Sequence, residues 1–303
     1  MHNKFKGTGV ALVTPFHKDG SIDFKCLGNI IENIILNDVN YIVVLGTTGE
    51  TATLTRDEKL AIIGFVVETV DGRMPVVLGL GGNNTQDITN CLKSYDFEGI
   101  DAILSVSPYY SKPSQKGLYQ HYKIIANLSP VPVILYNVPG RTSVNISAET
   151  TLRLAYDIDG VIGIKEASGN LEQCMQIINN KPEDFLVISG DDALTLPLIA
   201  IGGNGVISVV ANALPKDFSD MVYHATRGRM RRARHLHYKL IDIIEQLFVE
   251  GNPAGVKALM ELQGLCLNNL RLPLTPVGRS THNKLANLLE NYNNVKETDQ
   301  LAQ

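Results

Sequence analysis

The sequence predicts an α/β fold, a (β/α)8 TIM barrel with a C-terminal helical appendage, and three observations carry that reading. Short runs rich in Val, Ile and Leu recur eight times, their starts between 20 and 34 residues apart. Each run is nearly continuous in apolar character rather than alternating, as a parallel strand buried on both faces must be. Most intervals hold an amphipathic helical pattern, so the repeating unit is a strand followed by a helix. Eight such units in about 220 residues match a TIM barrel, whereas a doubly wound open sheet has fewer strands and a glycine fingerprint after its first.

The predicted strands are residues 9–14, 41–45, 75–80, 102–106, 133–136, 161–165, 185–189 and 205–209. Residues 15–21, after the first strand, carry no glycine fingerprint. Residues 23–37 and 55–69 read as helices. Thr55 with Glu58 three residues on forms a capping box, each side chain bonding the other residue's N–H. Ser147 with Thr150, and Asp87 after Thr85, stand where further helices open. Gly79-Leu80-Gly81-Gly82-Asn83-Asn84 lacks a Gly-Lys-Ser/Thr ending and reads as a tight turn rather than a phosphate loop. Strand signals stop after Val210. The barrel is predicted over 1–226 and the appendage over 227–303, with several helices across 215–291, one opening at Asn252-Pro253 and running toward Cys266. Residues 292–303 are mostly polar and are expected to fray. With no low-complexity linker between them, appendage and barrel are expected to pack together.

At 303 residues and 44% hydrophobic side chains, the chain can bury one large core. Its 27 basic and 31 acidic residues give a net charge of −4, which offers no general attraction to nucleic acid or an anionic membrane. A small ligand is expected instead. No apolar run reaches membrane-spanning length, and residues 1–9 lead into a strand without the apolar stretch of a secretory signal. Cys26, Cys91, Cys174 and Cys266 are scattered, with no C-x-x-C pair or nearby histidine to complete a zinc site. They are expected to be reduced, mostly buried thiols of a cytoplasmic protein with no metal and no cofactor. Arg227, Arg229, Arg231, Arg232 and Arg234, with His235 and His237, read as a solvated helix face, because the whole chain is acidic and no aromatics interleave. His235 and His237, two apart on a helix, do not share a face and make poor co-ligands.

In such a barrel, chemistry sits at the C-terminal ends of the strands. Gly46-Thr47-Thr48-Gly49-Glu50, Ser107-Pro108-Tyr109-Tyr110, Tyr136-Asn137-Val138-Pro139-Gly140-Arg141, Lys165-Glu166 and Gly190-Asp191-Asp192 end five of the runs. Lys165 is expected in the barrel mouth, where desolvation and a cationic neighbour such as Arg141 favour a neutral, nucleophilic amine able to form a Schiff base. From position alone, a lysine that reaches solvent or pairs with a carboxylate is the commoner outcome. Tyr136 and Tyr110, linked through Thr47, can relay protons during imine formation and aldol addition. Any single tyrosine more often just packs, with its hydroxyl satisfied. Thr47-Thr48-Gly49 offers hydroxyls and N–H groups to a carboxylate. Arg141 can hold a second carboxylate bidentately, although a lone loop arginine is more often solvated.

These motifs are joined by Leu118-Tyr119-Gln120-His121, Gly163-Ile164-Lys165-Glu166-Ala167, Gly205-Val206-Ile207-Ser208 and Arg271-Leu272-Pro273, and together they cover nearly the whole chain. As a set they resemble the dihydrodipicolinate synthases of the N-acetylneuraminate lyase superfamily of class I aldolases. The resemblance implies that pyruvate forms an imine on Lys165 and adds as its enamine to L-aspartate 4-semialdehyde. Cyclisation then gives 4-hydroxy-tetrahydrodipicolinate, the committed step toward diaminopimelate and lysine. It implies Tyr136 as general acid/base, Thr47 and Tyr110 as the rest of the relay, Thr48 as a pyruvate-carboxylate contact and Arg141 as the anchor of the semialdehyde carboxylate. Gly190 and Ile207 match backbone positions lining the pyruvate side. A homotetramer, built as a dimer of dimers, is also implied, with the neighbouring subunit supplying the tyrosine that matches Tyr110. Superfamily members with other aldehydes lack the arginine of Tyr-Asn-Val-Pro-x-Arg, so Arg141 favours the semialdehyde. Two alternatives stay open: a related pyruvate-dependent aldolase or lyase acting on another aldehyde or sugar acid, and a non-catalytic carboxylate sensor.

Many members of the family bind lysine as a feedback inhibitor at the dimer interface. The matching positions are Thr51, Ala52, Arg56, Lys59, Gly81, Asn83, Asp87 and Tyr109. Where sensitive enterobacterial enzymes carry two histidines, this chain has Arg56 and Lys59, and two added cations beside a cationic ligand imply weak or absent inhibition.

Overall fold

The computed structural model describes residues 2–301. Eight parallel strands, β1 (Gly7–Ala11), β2 (Tyr41–Val44), β3 (Val76–Gly79), β4 (Ala102–Val106), β5 (Val133–Asn137), β6 (Val161–Glu166), β7 (Leu186–Ser189) and β8 (Gly205–Ser208), follow one another around a closed barrel. β8 pairs back onto β1. Every predicted strand is present. The helices are α1 (Phe24–Leu36), α2 (Arg56–Val70), α3 (Thr85–Ser94), α4 (Gln115–Leu128), α5 (Pro139–Thr142), α6 (Ala148–Asp157), α7 (Leu171–Asn180), α8 (Thr195–Ala200), α9 (Pro215–Thr226), α10 (Met230–Phe248), α11 (Ala254–Leu262) and α12 (Arg279–Leu301). Thr55 and Glu58 form the reciprocal capping box of α2, and Ser147 caps α6 by accepting from the Thr150 N–H. At α3 the cap is Asn84, with Asp87 in the first turn.

Strand side chains divide into two apolar layers. Tyr41, Val43, Val77, Leu104, Ile134, Tyr136 and Ile188 fill the barrel, while Ile42, Val44, Leu78, Ile103, Leu135 and Val187 pack against the helices. The period-two alternation breaks at one place that matters. Val133 pairs with Val161, but Ile134 pairs with Gly163, so Ile162 is skipped as in a β-bulge. Ile162 belongs to the inner layer and Ile164 to the outer one. An unbroken strand would put both on the same face. The bulge resets the parity, and Lys165 then faces the barrel mouth.

Three expectations need correcting. Tyr292, read as the start of a frayed tail, is 6% exposed. Its hydroxyl donates to Asp217 at 2.6 Å and its ring lies 4.9 Å from the Lys239 ammonium. This polar, aromatic docking holds α12, which continues to Leu301; residues 302–303 of the expected tail lie outside the described residues. The four cysteines are free, but only Cys174 is buried, the other three being half-covered at the edges of the outer layer. Arg141, read as a loop residue, lies on the short helix α5, whose Pro139 sits in the first turn. The arginine run is exposed as expected, with Arg227 and Arg229 lying 3.7 and 5.9 Å from the Tyr223 ring. His235 is exposed and His237 buried. Among the described residues, no helix is long and apolar enough to cross a membrane.

Candidate active site

A cavity of about 390 Å³ opens at the C-terminal ends of the strands, lined by Thr47, Thr48, Tyr136, Arg141, Lys165 and Gly190 together with apolar neighbours such as Leu104, Val138 and Val209. Lys165 is 5% exposed and pairs in register with Tyr136 on β5 and Ile188 on β7. Its ammonium lies 4.4 Å from the Tyr136 ring centroid, a cation–π contact in a largely dry setting. Gly190 leaves room for the lysine stem: a Cβ there would stand 3.0 Å from Lys165 Cε. Glu166, the next residue, turns the opposite way. Its buried carboxylate accepts from Asn137 Nδ2 at 3.0 Å, Gln173 Nε2 at 2.9 Å and the Ser168 N–H at 2.9 Å.

The loop after β2 makes two 3-10 turns, Thr47–Gly49 and Thr51–Thr53, the first flanked by Leu45 and Glu50 in the left-handed region at φ 56° and 54°. Non-glycine residues adopt that conformation only when the surroundings enforce it. Here Thr14 Oγ1 donates to the Gly49 carbonyl at 2.7 Å and Thr51 Oγ1 to that of Leu45 at 2.9 Å. Glu50 and Lys257 form an ion pair at 2.5 Å with both side chains fully buried. The second Glu50 oxygen accepts from the Arg271 N–H at 3.1 Å, and Lys257 also donates to the Asn269 carbonyl at 2.8 Å. Burial pulls the Lys257 pKa down while Glu50 opposes that shift. The Arg271 side chain grips Glu58 and holds its carboxyl at about 2. The appendage therefore clamps the loop that presents Thr47 and Thr48.

Asn252, between α10 and α11, reaches the same cavity. Its Nδ2 donates to Thr48 Oγ1 at 3.0 Å and its carbonyl accepts from Arg141 Nη2 at 3.4 Å. Asp191 also lines the cavity, but its Oδ1 is occupied by the N–H groups of Ala193 and Leu194. Asp192 caps the turn after β8 through the N–H groups of Val209 and Val210, and burial pushes its carboxyl up to about 6. Among the described residues, no group of three His, Cys, Asp or Glu side chains could hold a metal ion.

Two expected participants stand elsewhere. Tyr110 is 90% exposed, at φ 73°, and does not line the cavity of its own chain. Ile207 is buried in the inner layer of the barrel, with Val209 rather than Ile207 reaching the cavity. The positions matched to a lysine site divide. Thr51, Lys59, Gly81, Asn83, Asp87 and Tyr109 line a separate cavity of about 230 Å³, whereas Ala52 and Arg56 do not. The Arg56 guanidinium instead lies 3.4 Å from Ser94 Oγ.

Residues 4–292 match the model of the dihydrodipicolinate synthetase family. The chain belongs to that family. It is 54% identical, over 94% of its length and 96% of the relative, to the 4-hydroxy-tetrahydrodipicolinate synthase of Parabacteroides distasonis. The crystal structure of dihydrodipicolinate synthase from Aquifex aeolicus superimposes with a TM-score of 0.92 at 42% identity, covering 95% of this chain and 98% of that one. The dihydrodipicolinate synthase of Acinetobacter baumannii, complexed with pyruvate, gives a TM-score of 0.92 at 40% identity, over 95% and 99% of the two chains. The expected family, barrel fold and enzyme class are borne out.

Sequence reasoning missed the contribution of the appendage to this cavity. Phe248 and Asn252 line the cavity from the end of α10 and the connection after it, yet Asn252 read only as a helix opener. Lys257, an apparently ordinary lysine of α11, is fully buried beneath the Thr47–Gly49 turn. The one available signal was an Asn-Pro pair followed five residues after Asn252 by a lysine inside an apolar helix, which no periodicity links to the second strand's loop.

Proposed function

We propose that this enzyme joins pyruvate to L-aspartate 4-semialdehyde, giving 4-hydroxy-tetrahydrodipicolinate, the activity for which its relatives are named. Lys165 Nζ attacks the pyruvate keto carbon, and loss of water leaves an imine. Removal of a methyl proton gives the enamine, whose carbon adds to the aldehyde. The amino group of the added unit then attacks the imine carbon, closing the ring and releasing Lys165. Tyr136, directly beside the amine, moves protons in these steps, with Thr47 continuing the relay. Thr48 donates to the pyruvate carboxylate, Arg141 anchors that of the semialdehyde, and Gly190 borders the pyruvate side.

The observation that carries this reading is the burial of Lys165 against the Tyr136 ring, in a small cavity that also holds a hydroxyl pair and an arginine. A buried lysine beside a hydroxyl-bearing ring in a small cavity suits covalent chemistry on a bound substrate rather than solvation. The exposed, conformationally strained Tyr110 supports a second reading at the level of assembly: a neighbouring copy receives this ring and donates its own, within a homotetramer built as a dimer of dimers. The four free thiols suit the reducing cytoplasm, which we propose as its compartment. The cavity of Thr51, Lys59, Asn83, Asp87 and Tyr109 is a regulatory site weakened for lysine by its own cation.

Borohydride reduction in the presence of pyruvate is the direct test. A reduced pyruvyl adduct on the Lys165 peptide is expected, and its absence would rule out an imine at Lys165. A panel of aldehydes with Arg141→Ala completes it. The variant should keep imine formation and lose turnover of the semialdehyde, whereas equal turnover of another aldehyde by both proteins would point to a different acceptor.

A further inference from the structure

Thr48 and Arg141, the two side chains that meet substrate carboxylates in the reading above, are both tied to one residue outside the barrel strands. Asn252 is 8% exposed and holds Thr48 through its side chain and Arg141 through its main chain. The division is useful, because a side-chain substitution at position 252 removes one tie and leaves the other.

We propose that Asn252 is a positioning residue that sets the Thr48 hydroxyl as a donor toward the pyruvate carboxylate, an inference that rests on the pyruvate chemistry above. A threonine hydroxyl has one proton and two lone pairs, while a carboxylate only accepts. Asn252 Nδ2 donates into a Thr48 lone pair at 3.0 Å. The Thr48 proton is thereby left for the cavity that Thr48 lines. The result is a chain of donors, amide to hydroxyl to carboxylate, in which each bond polarises the next. The reverse amide orientation would take the Thr48 proton onto Oδ1 and present lone pairs to the substrate, which a carboxylate would avoid. Asn252 Oδ1 is in fact buried without a partner.

An aspartate at this position cannot donate, draws the Thr48 proton to itself and sets a negative charge beside the carboxylate site. An alanine frees the hydroxyl to rotate. The experiment measures half-saturating pyruvate by borohydride trapping on Lys165, and steady-state KM for both substrates, in wild type, Asn252→Asp, Asn252→Ala and Thr48→Val. Half-saturation reads only the folded, competent molecules. For loss of one hydrogen bond to a charged group, half-saturating pyruvate should rise about tenfold in Asn252→Ala and further in Asn252→Asp, with the semialdehyde KM within about twofold of wild type. In the Thr48→Val background, Asn252→Ala should add nothing, because its target is gone. Should Asn252→Asp fail to fold, the alanine variant in both backgrounds carries the test. Unchanged pyruvate affinity, equal rises for both substrates, or the same effect with and without Thr48 would overturn the proposal while wild-type trapping stood. Failure of wild type itself to trap pyruvate would instead remove the underlying reading.

Discussion

A Cβ on Gly190 would lie 3.0 Å from Lys165 Cε and 2.6 Å from the Cβ of Ala167. The glycine is needed for space, since no positive φ is required of it. In Gly190→Ala, Ala167 cannot retreat without moving β6, so the lysine stem yields. Imine formation should slow by about 10- to 100-fold, the scale on which small displacements of a reacting group act. Folding should lose only about 1–3 kcal/mol, as for other overpacked sites. Single-turnover trapping against a urea unfolding curve separates the two effects.

The Glu50–Lys257 pair predicts a different pattern. Both side chains are fully buried, so removing one partner strands a charge in the interior. Lys257→Met should cost about 3–5 kcal/mol, and replacing both charges with Glu50→Gln and Lys257→Met should restore most of it. Urea midpoints of the two single variants and the double variant check this. Activity should fall further than stability in each, because the pair holds the turn that carries Thr47 and Thr48.

His121 and Asp192 pull the pH dependence in opposite directions, the raised Asp192 carboxyl favouring the folded protein as pH falls through about 6 and His121 opposing it. His121 is 5% exposed, its Nδ1 lies 2.8 Å from Thr85 Oγ1, and burial pulls its pKa down to about 4. In the unfolded chain it takes up a proton near pH 6.5, while the folded protein stays neutral there. The stability it confers is therefore complete above about 6.5 and falls by about 3 kcal/mol as pH drops toward 4. His121→Gln should remove this contribution and so make the variant relatively more stable than wild type at pH 4 than at pH 6.5, measured as the difference between urea midpoints at the two ends of the window.

Much of this architecture was readable along the chain, because parallel strands buried on both faces leave continuous apolar runs and the helices between them carry their own caps. Lys165 was findable as a polar residue ending such a run and was expected in the barrel mouth, but the bulge that turns it there was not. Two isoleucines, Ile162 and Ile164, look alike in sequence, and only the skipped pairing at Ile162 sends them to opposite faces. Asn252 and Lys257 were hidden for another reason. Their partners Thr48 and Glu50 lie 204 and 207 residues away, and contacts of that range leave no local pattern. Tyr110 was assigned from its strand end, yet one chain alone holds it in solvent.

The smaller cavity predicts weak feedback. Lys59 lines it beside Asp87, while Arg56 is turned toward Ser94, so one extra cation rather than two faces a bound lysine. A like charge at about 4 Å costs roughly 1 to 4 kcal/mol between water and a protein surface. Wild type should keep more than half its activity at millimolar lysine, and Lys59→Ala should be inhibited at lower concentrations. Strong sub-millimolar inhibition of wild type would contradict the charge argument.

Tyr110 leads to the sharpest test of assembly. A ring 90% exposed in the left-handed region serves no packing role in its own chain. If a neighbouring copy completes each site, Tyr110→Phe and Lys165→Met damage different halves of the same catalytic unit. Each variant alone should be nearly inactive. Mixed in equal amounts and allowed to exchange, half the two-fold dimers would be hybrids, each with one site holding both Lys165 and Tyr110, so about a quarter of wild-type activity should return. The recovered activity should depend on total protein concentration, because dilution separates the copies. A mixture that stays inactive while sedimentation shows hybrid dimers would mean that Tyr110 acts within its own chain, and the relay would have to close by movement of the loop after β4.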